Sequence, residues 1–227
     1  MRIAQDHRPA ILKTAARLFA ERPFQEVLMD DIASEVGIAK GTIYRSYPNK
    51  QELCVAICME YMQTMENELT QITAENSACS SEALLTLMVE QMARHFYEYR
   101  DFFNAMHRAE GGIQLLNRKG FIKQRSGIRE QIADVIRSGQ KTGVWDALDP
   151  VMCADAILGM LRNLYIFGNP HLKPAEVSRM ILHIFLNGVR NRSQTVPAVR
   201  SRKAVSNLKK IAPVPTVRAS ADGGRKS

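Results

Sequence analysis

An all-α fold is predicted by three observations. Apolar residues recur at three- and four-residue spacing in segment after segment, and helix-opening punctuation stands at Asn49-x-x-Glu52, Asp149-Pro150 and Pro174. No segment alternates apolar and polar residues in the way a half-buried strand would. At 227 residues the chain has room for one small and one medium domain around a substantial core.

The elements follow in order. Ile32, Ala33 and Val36 form one apolar face of a short helix beginning near Asp30, where a carboxylate suits the positive end of the helix dipole. Gly37 lets the chain turn without a Cβ penalty. Beyond it, Ile43 and Tyr47 share the inward face of a second short helix, leaving Gly41, Thr42 and Arg45 outward and Lys40 and Tyr44 on the flank. Two short helices meeting at Val36-Gly37-Ile38, the second presenting polar and basic groups, have the form of a helix-turn-helix that reads a DNA groove. Gly41 in its first turn suits close approach to a sugar-phosphate wall. Pro48 stops this helix, and Asn49 and Glu52 make a capping box for the next, with Lys50 in its first turn.

That long helix runs from Asn49 to about Thr73 and breaks in Glu75-Asn76-Ser77. Another starts near Ser80 or Ser81 and carries Leu84, Leu85, Leu87, Met88, Met92, Phe96 and Tyr99. A short helix through Phe102, Phe103 and Met106 ends at Gly111-Gly112, and the segment from Ile113 to Thr142 is expected to bend at Gly120 and Gly127. Asp149 as N-cap with Pro150 at the first position opens a markedly apolar helix that Gly168-Asn169-Pro170 stops. Pro174 opens the last helix, with a stripe of Val177, Ile181, Ile184, Phe185 and Gly188. After Arg192 the prolines, glycines, serines and basic residues offer almost nothing to bury, so residues 193–227 are expected to be a disordered tail.

The preceding helix also carries a pattern. Ile11-Leu12, Ala15-Ala16, Leu18-Phe19 and Phe24, then Gly37-Ile38-Ala39-Lys40-Gly41-Thr42-Ile43-Tyr44, Tyr47, Asn49-Lys50 and Leu53, resemble the tetracycline-repressor (TetR) family of bacterial transcription regulators. The likeness covers residues 8–53. It implies three N-terminal helices forming a DNA-binding domain over residues 1–53, with the third helix in the major groove. It also implies an effector-binding and dimerisation domain over 54–192, whose last two helices, residues 150–192, pair with a second copy. Carried over residue by residue, it places Lys40, Gly41, Thr42, Tyr44, Arg45, Ser46 and Lys50 at DNA-contacting positions. Their chemistry fits: Lys40 can donate to guanine, Thr42 can offer a hydroxyl or meet a thymine methyl, Tyr44 and Lys50 can hold phosphates, and Arg45 can do either. Ala39 and Met29 stand where the family commonly has Ser or Thr, and Pro23 where it has Gly.

The resemblance further implies a small-molecule cavity in the second domain. Met65, Met88, Met92, Phe96, Phe103, Met106, Phe121 and Trp145, with Met62 and Met160, suit a small apolar or aromatic effector, and His107 is a polar group able to orient it. The same residues at helical spacing are also what a helical core contains.

Composition narrows the classes. Hydrophobic residues at 45% and charged residues at 24% are ordinary for a soluble globular protein, and no apolar run approaches the roughly 20 residues of a membrane span. The N-terminus lacks a signal-peptide core, so the cytoplasm is expected. The net charge of +8 divides unevenly: residues 1–53 carry eight Lys/Arg against seven Asp/Glu, residues 54–192 fifteen of each, and residues 193–227 eight against one. The tail therefore holds the excess, which leaves open an architectural or nucleoid-associated DNA-binding protein as the alternative to an operator-specific repressor. Four scattered cysteines make no disulfide framework; Cys54 and Cys58 read as buried apolar residues or as a thiol switch. The five histidines are dispersed, and no triad, phosphate loop or metal-ligand spacing is visible, so neither catalysis nor a cofactor or metal is expected.

Overall fold

A computed structural model describes residues 6–108, 119–168 and 171–189, the side chains of 119–121 excepted. The described residues form nine helices and no strand: α1 Arg8–Glu21, α2 Met29–Val36, α3 Lys40–Ser46, α4 Lys50–Glu75, α5 Ser81–Glu98, α6 Arg100–Arg108, α7 Lys119–Lys141, α8 Pro150–Phe167 and α9 Pro174–Val189. The tail after Arg192, the Phe121 side chain, Gly111-Gly112 and Asn169-Pro170 lie outside the described residues.

Caps account for several boundaries. The Asn49 side chain accepts the Glu52 N–H at 2.8 Å, that of Ser80 accepts the Ala83 N–H at 3.2 Å, and that of Asp149 accepts the Met152 N–H at 2.8 Å. Gly143, at φ +73°, follows α7 in the left-handed region.

One continuous core joins the helices. The 26-residue α4 buries Leu53, Cys54, Ile57, Cys58, Tyr61, Met62, Met65 and Leu69, a two-wide stripe that touches α1 near its start and α5 and α7 further on. The domain boundary expected at residue 53 falls inside this helix. α1 is wedged among α2, α4 and α6, while α5 packs against α4, α7, α8 and α9.

α7 runs unbroken through Gly120 and Gly127, so neither glycine, where a bend was expected, interrupts the helix. The Glu66 carboxylate, the movable end of a flexible side chain on α4, lies over Gly127 where a Cβ would stand. Gln131 donates to the Glu66 carbonyl at 3.3 Å and Gln124 to the Gln63 side chain at 2.8 Å, fastening the same seam. Gly139 makes room for the buried Trp145 ring.

The apolar stripe expected along α9 is split. Val177, Ile181, Phe185 and Val189 face the core, whereas Ile184 is 53% exposed and Gly188 also lies outside. On α8, Ile157, Leu158 and Leu161 are buried while Met152 is 72% and Phe167 64% exposed. α8 is long and apolar enough by length and composition to cross a bilayer. Its Asp155 nevertheless meets Arg129 of α7 at 3.5 Å.

Candidate nucleic-acid interface

The reading unit is built on a turn. Gly37 ends α2 at φ +76°, and the Ile38 N–H then donates to the Ala33 carbonyl at 3.0 Å, closing the helix end. An isolated seven-residue helix is marginal in water, so α3 depends on its anchors. These are Ile43, fully buried, and Tyr47, 8% exposed, whose burial pushes its phenol above the ordinary range. Burying an Ile side chain contributes roughly 1.5–3 kcal/mol.

The N-caps are sparse. Leu28, not Met29, holds the N-cap position of α2, and Met29 is turned into the core, so a hydroxyl at 29 is not what this helix lacks. The Asp31 carboxylate accepts the Leu28 N–H at 3.2 Å and caps from inside the first turn. Ala39 at the head of α3 gives no side-chain cap. α1 braces α2 through ion pairs from Arg17 to Glu35 and from Arg22 to Asp31.

With Ile43 inward, Lys40, Gly41, Tyr44, Arg45 and Ser46 are exposed and Thr42 is half-buried. Six of the seven residues expected at DNA thus share α3, five of them open to solvent. Arg45 makes no hydrogen bond or ion pair among the described residues. Lys40 is differently held: its Nζ donates to Asp30 Oδ2 at 2.7 Å and lies 5.7 Å from the Tyr44 ring centroid. The hydrogen bond to Asp30, and its charge, raise the Lys40 ammonium above its usual range. The Ser46 hydroxyl turns back to the Thr42 carbonyl at 3.3 Å.

Lys50 stands apart from this face. Its Nζ donates to the carbonyls of Phe24 and Gln25 at 2.8 and 3.1 Å and sits 4.9 Å from the Phe24 ring centroid. The amine therefore fastens the start of α4 to the α1–α2 turn. Asp30 reads in the sequence only as a helix-start carboxylate; its pairing with Lys40 went unnoticed, although opposite charges flanking a tight turn were there to be read.

Two matches decide the lineage. Residues 11–57 fit the family model described as bacterial regulatory proteins, tetR family, and residues 78–189 fit a tetracyclin repressor-like C-terminal domain. The chain belongs to the tetR family. Among curated relatives, this tetR-family chain is 29% identical over 92 residues to the uncharacterized HTH-type transcriptional regulator YerO of Bacillus subtilis, covering 40% of this chain and 32% of that one. It is 33% identical over 69 residues to the HTH-type transcriptional regulator SAB2452 of Staphylococcus aureus, covering 30% and 37%. The chain thus spans about a third of the length of the curated relatives it matches. Solved structures share its fold. A TetR/AcrR-family regulator from Thermobifida fusca superposes with a TM-score of 0.66 at 23% identity, over 82% of this chain and all of that one. The fatty acid degradation regulator FadR from Bacillus halodurans gives 0.69 at 18%, over 84% of this chain and all of that one.

The residues expected around an effector lie mostly in the core of the tetR-family chain. Met65, Met88, Met92, Phe103, Met106 and Trp145 are buried and Phe96 partly so. They line none of the three described grooves. His107 is half-buried against the Phe167 ring, 5.4 Å between centroids, and burial, with Arg162 adding repulsion, holds its imidazole below the usual range.

A different histidine is fully enclosed. His95 is 2% exposed, with Nε2 2.9 Å from the Tyr61 carbonyl, Nδ1 3.3 Å from Glu68 Oε2, and its ring 4.4 Å from that of Tyr61. The signal was its register: His95 continues the Met88 and Met92 stripe of α5. Cys54 and Cys58 are buried, and burial raises both thiols, that of Cys58 to about 12. Neither is held as a thiolate, so they behave as small apolar residues. No group of three metal-binding side chains occurs among the described residues.

Proposed function

We propose that this protein is a DNA-binding transcriptional regulator that acts in the cytoplasm as a homodimer, reading a pseudo-palindromic operator with α3 of each copy. The observation that carries the reading is the outward face of α3, which offers an unpartnered Arg45 beside Lys40 and Gly41 on a helix pinned from behind by Ile43. Arg45, Lys40 and Thr42 are assigned to base edges or phosphates, and Tyr44 to a phosphate. Ser46 and Lys50 support the face from its rim.

The partner is a second copy. Met152 and Phe167 of α8 and Met180 and Ile184 of α9 form an uncovered apolar strip, and Gly159 and Gly188 have open space where a Cβ would stand. A symmetric pairing of α8 and α9 covers that strip and sets two recognition helices about 34–36 Å apart. A small apolar or aromatic effector that enters the Met-rich core between α4 and α5 would relieve repression by its differential affinity for the two spacings. Regulation rather than catalysis is the role.

Selection of bound fragments from genomic DNA tests the reading. An operator-specific dimer prefers its best site over random duplex by roughly 10³-fold or more. Equal affinity for both would favour an architectural protein working through the basic tail, and a monomer in sedimentation with no selected site would defeat the assignment.

A further inference from the structure

A groove of about 740 Å³ lies between α5 and α9, apart from the reading face and from the Met-rich core. Leu182 and Leu186 give it an apolar floor, and Ser178, 3% exposed, stands at the base. Arg94 of α5, Lys173 ahead of α9 and Arg179 of α9 line it, with Glu90 as the one carboxylate of the lining. Three cations therefore face one carboxylate.

Arg8, Arg17, Arg22, Arg100, Arg129 and Arg137 each meet a carboxylate within 4 Å. Among the described residues the side chains of Arg94, Lys173 and Arg179, like those of Arg45, Arg125 and Arg162, make no ion pair, while the Lys173 backbone N–H donates to the Glu176 carboxylate at 3.0 Å. Arg94 donates only to the neutral Gln91 Oε1, at 3.0 and 2.7 Å. Like charges gathered over an apolar floor repel one another, and an anion seated among them removes that cost.

We propose that the α5–α9 groove is a binding site for an amphipathic organic anion, its apolar body on Leu182 and Leu186 and its acidic head among Arg94, Lys173 and Arg179. The volume is that of a small-molecule site, typically about 300–1,000 Å³. The tail of this chain is no candidate occupant, since residues 193–227 carry eight basic residues against one acidic. A second copy is assigned to the Met180 and Ile184 side of α9 instead. Any effect of the anion on assembly rests on that dimer reading; occupancy of the groove does not.

The test uses the full chain and 8-anilinonaphthalene-1-sulfonate, with its uncharged parent N-phenyl-1-naphthylamine as the control. Saturable sulfonate binding is expected to weaken at least ~10-fold in Arg94→Gln/Arg179→Gln, since hydrogen bonds to a charged group are each worth that order of affinity, while the uncharged dye is unaffected. In the unsubstituted protein, saturating sulfonate is expected to slow acetylation of Lys173. Binding that ignores the double substitution in protein of native circular dichroism, absence of saturable binding, or acetylation of Lys173 at its original rate would each overturn the site. None of these readouts involves DNA, so failure of the operator reading leaves them intact.

Discussion

Replacing Arg45 by alanine separates recognition from folding more cleanly than any other change on α3. Arg45 has no hydrogen-bond or ion-pair partner among the described residues, so its removal costs the free protein nothing beyond a solvated side chain. All of the effect should appear in the complex. If the guanidinium makes a bidentate contact with a guanine, about 1–3 kcal/mol is lost, roughly 5- to 150-fold, and the loss is confined to one base pair of each half-site. If it neutralises a phosphate, every sequence loses affinity alike, and the slope of log affinity against log salt falls by about 0.9 for each contact. Lys40→Ala is expected to cost less than Arg45→Ala, because Lys40 must first leave Asp30 at 2.7 Å. The assay is fluorescence anisotropy against the selected operator and its single-base variants at several salt concentrations, with thermal unfolding as the folding control. Affinity within about twofold on every duplex, together with an unchanged salt slope, would refute the placement of α3 at DNA.

Three further outcomes are expected. Gly37→Ala puts a Cβ at φ +76° with open space around it, so the penalty is purely conformational, ~1–2 kcal/mol, and shows as a drop in Tm of a few degrees. A thiol titration with an aromatic disulfide at pH 8 should find one fast-reacting cysteine, the exposed Cys79, and four only after denaturation; prompt reaction of Cys54 or Cys58 would contradict their burial. His107 is held below its ordinary value of 6.5, so the unfolded chain takes up this proton first. The stability it supports is complete above about pH 6.5 and is lost as pH falls through the folded value, so His107→Gln should flatten the decline in urea midpoint between pH 8 and pH 5.5.

Local rules made most of the architecture legible. Gly37, Asn49, Asp149 and Pro174 each act through their own backbone or the next turn, and helix boundaries follow from such short-range effects. What the sequence concealed was always a matter of which partner stood across an interface. Gly127 reads as a bend because nothing in its neighbours reveals that the Glu66 side chain, sixty-one positions earlier, lies over it. Ile184 and Ile181 are equally apolar, yet only packing against α5 and α8 decides which one faces the core. Lys50 has the chemistry of a phosphate ligand, and its hold on the carbonyls of Phe24 and Gln25 depends on a turn that sequence spacing does not bring near. Met65, Met88, Met92, Phe103, Met106 and Trp145 lie in the interior, where the same spacing serves packing and would serve a ligand.

The tether at Lys50 also turns α4 into a lever. Twenty-six residues at 1.5 Å each make an arm about 39 Å long. Near its middle the arm is clasped by α7 at Glu66 and Gln63, and its head is riveted to the α1–α2 turn. A tilt of only about 5° about that clasp, roughly 20–24 Å from the head, sweeps the head through about 2 Å, carrying α1 to α3 along as cargo. In the proposed dimer, two copies swinging that way would lose register with a rigid duplex long before either one lost its shape.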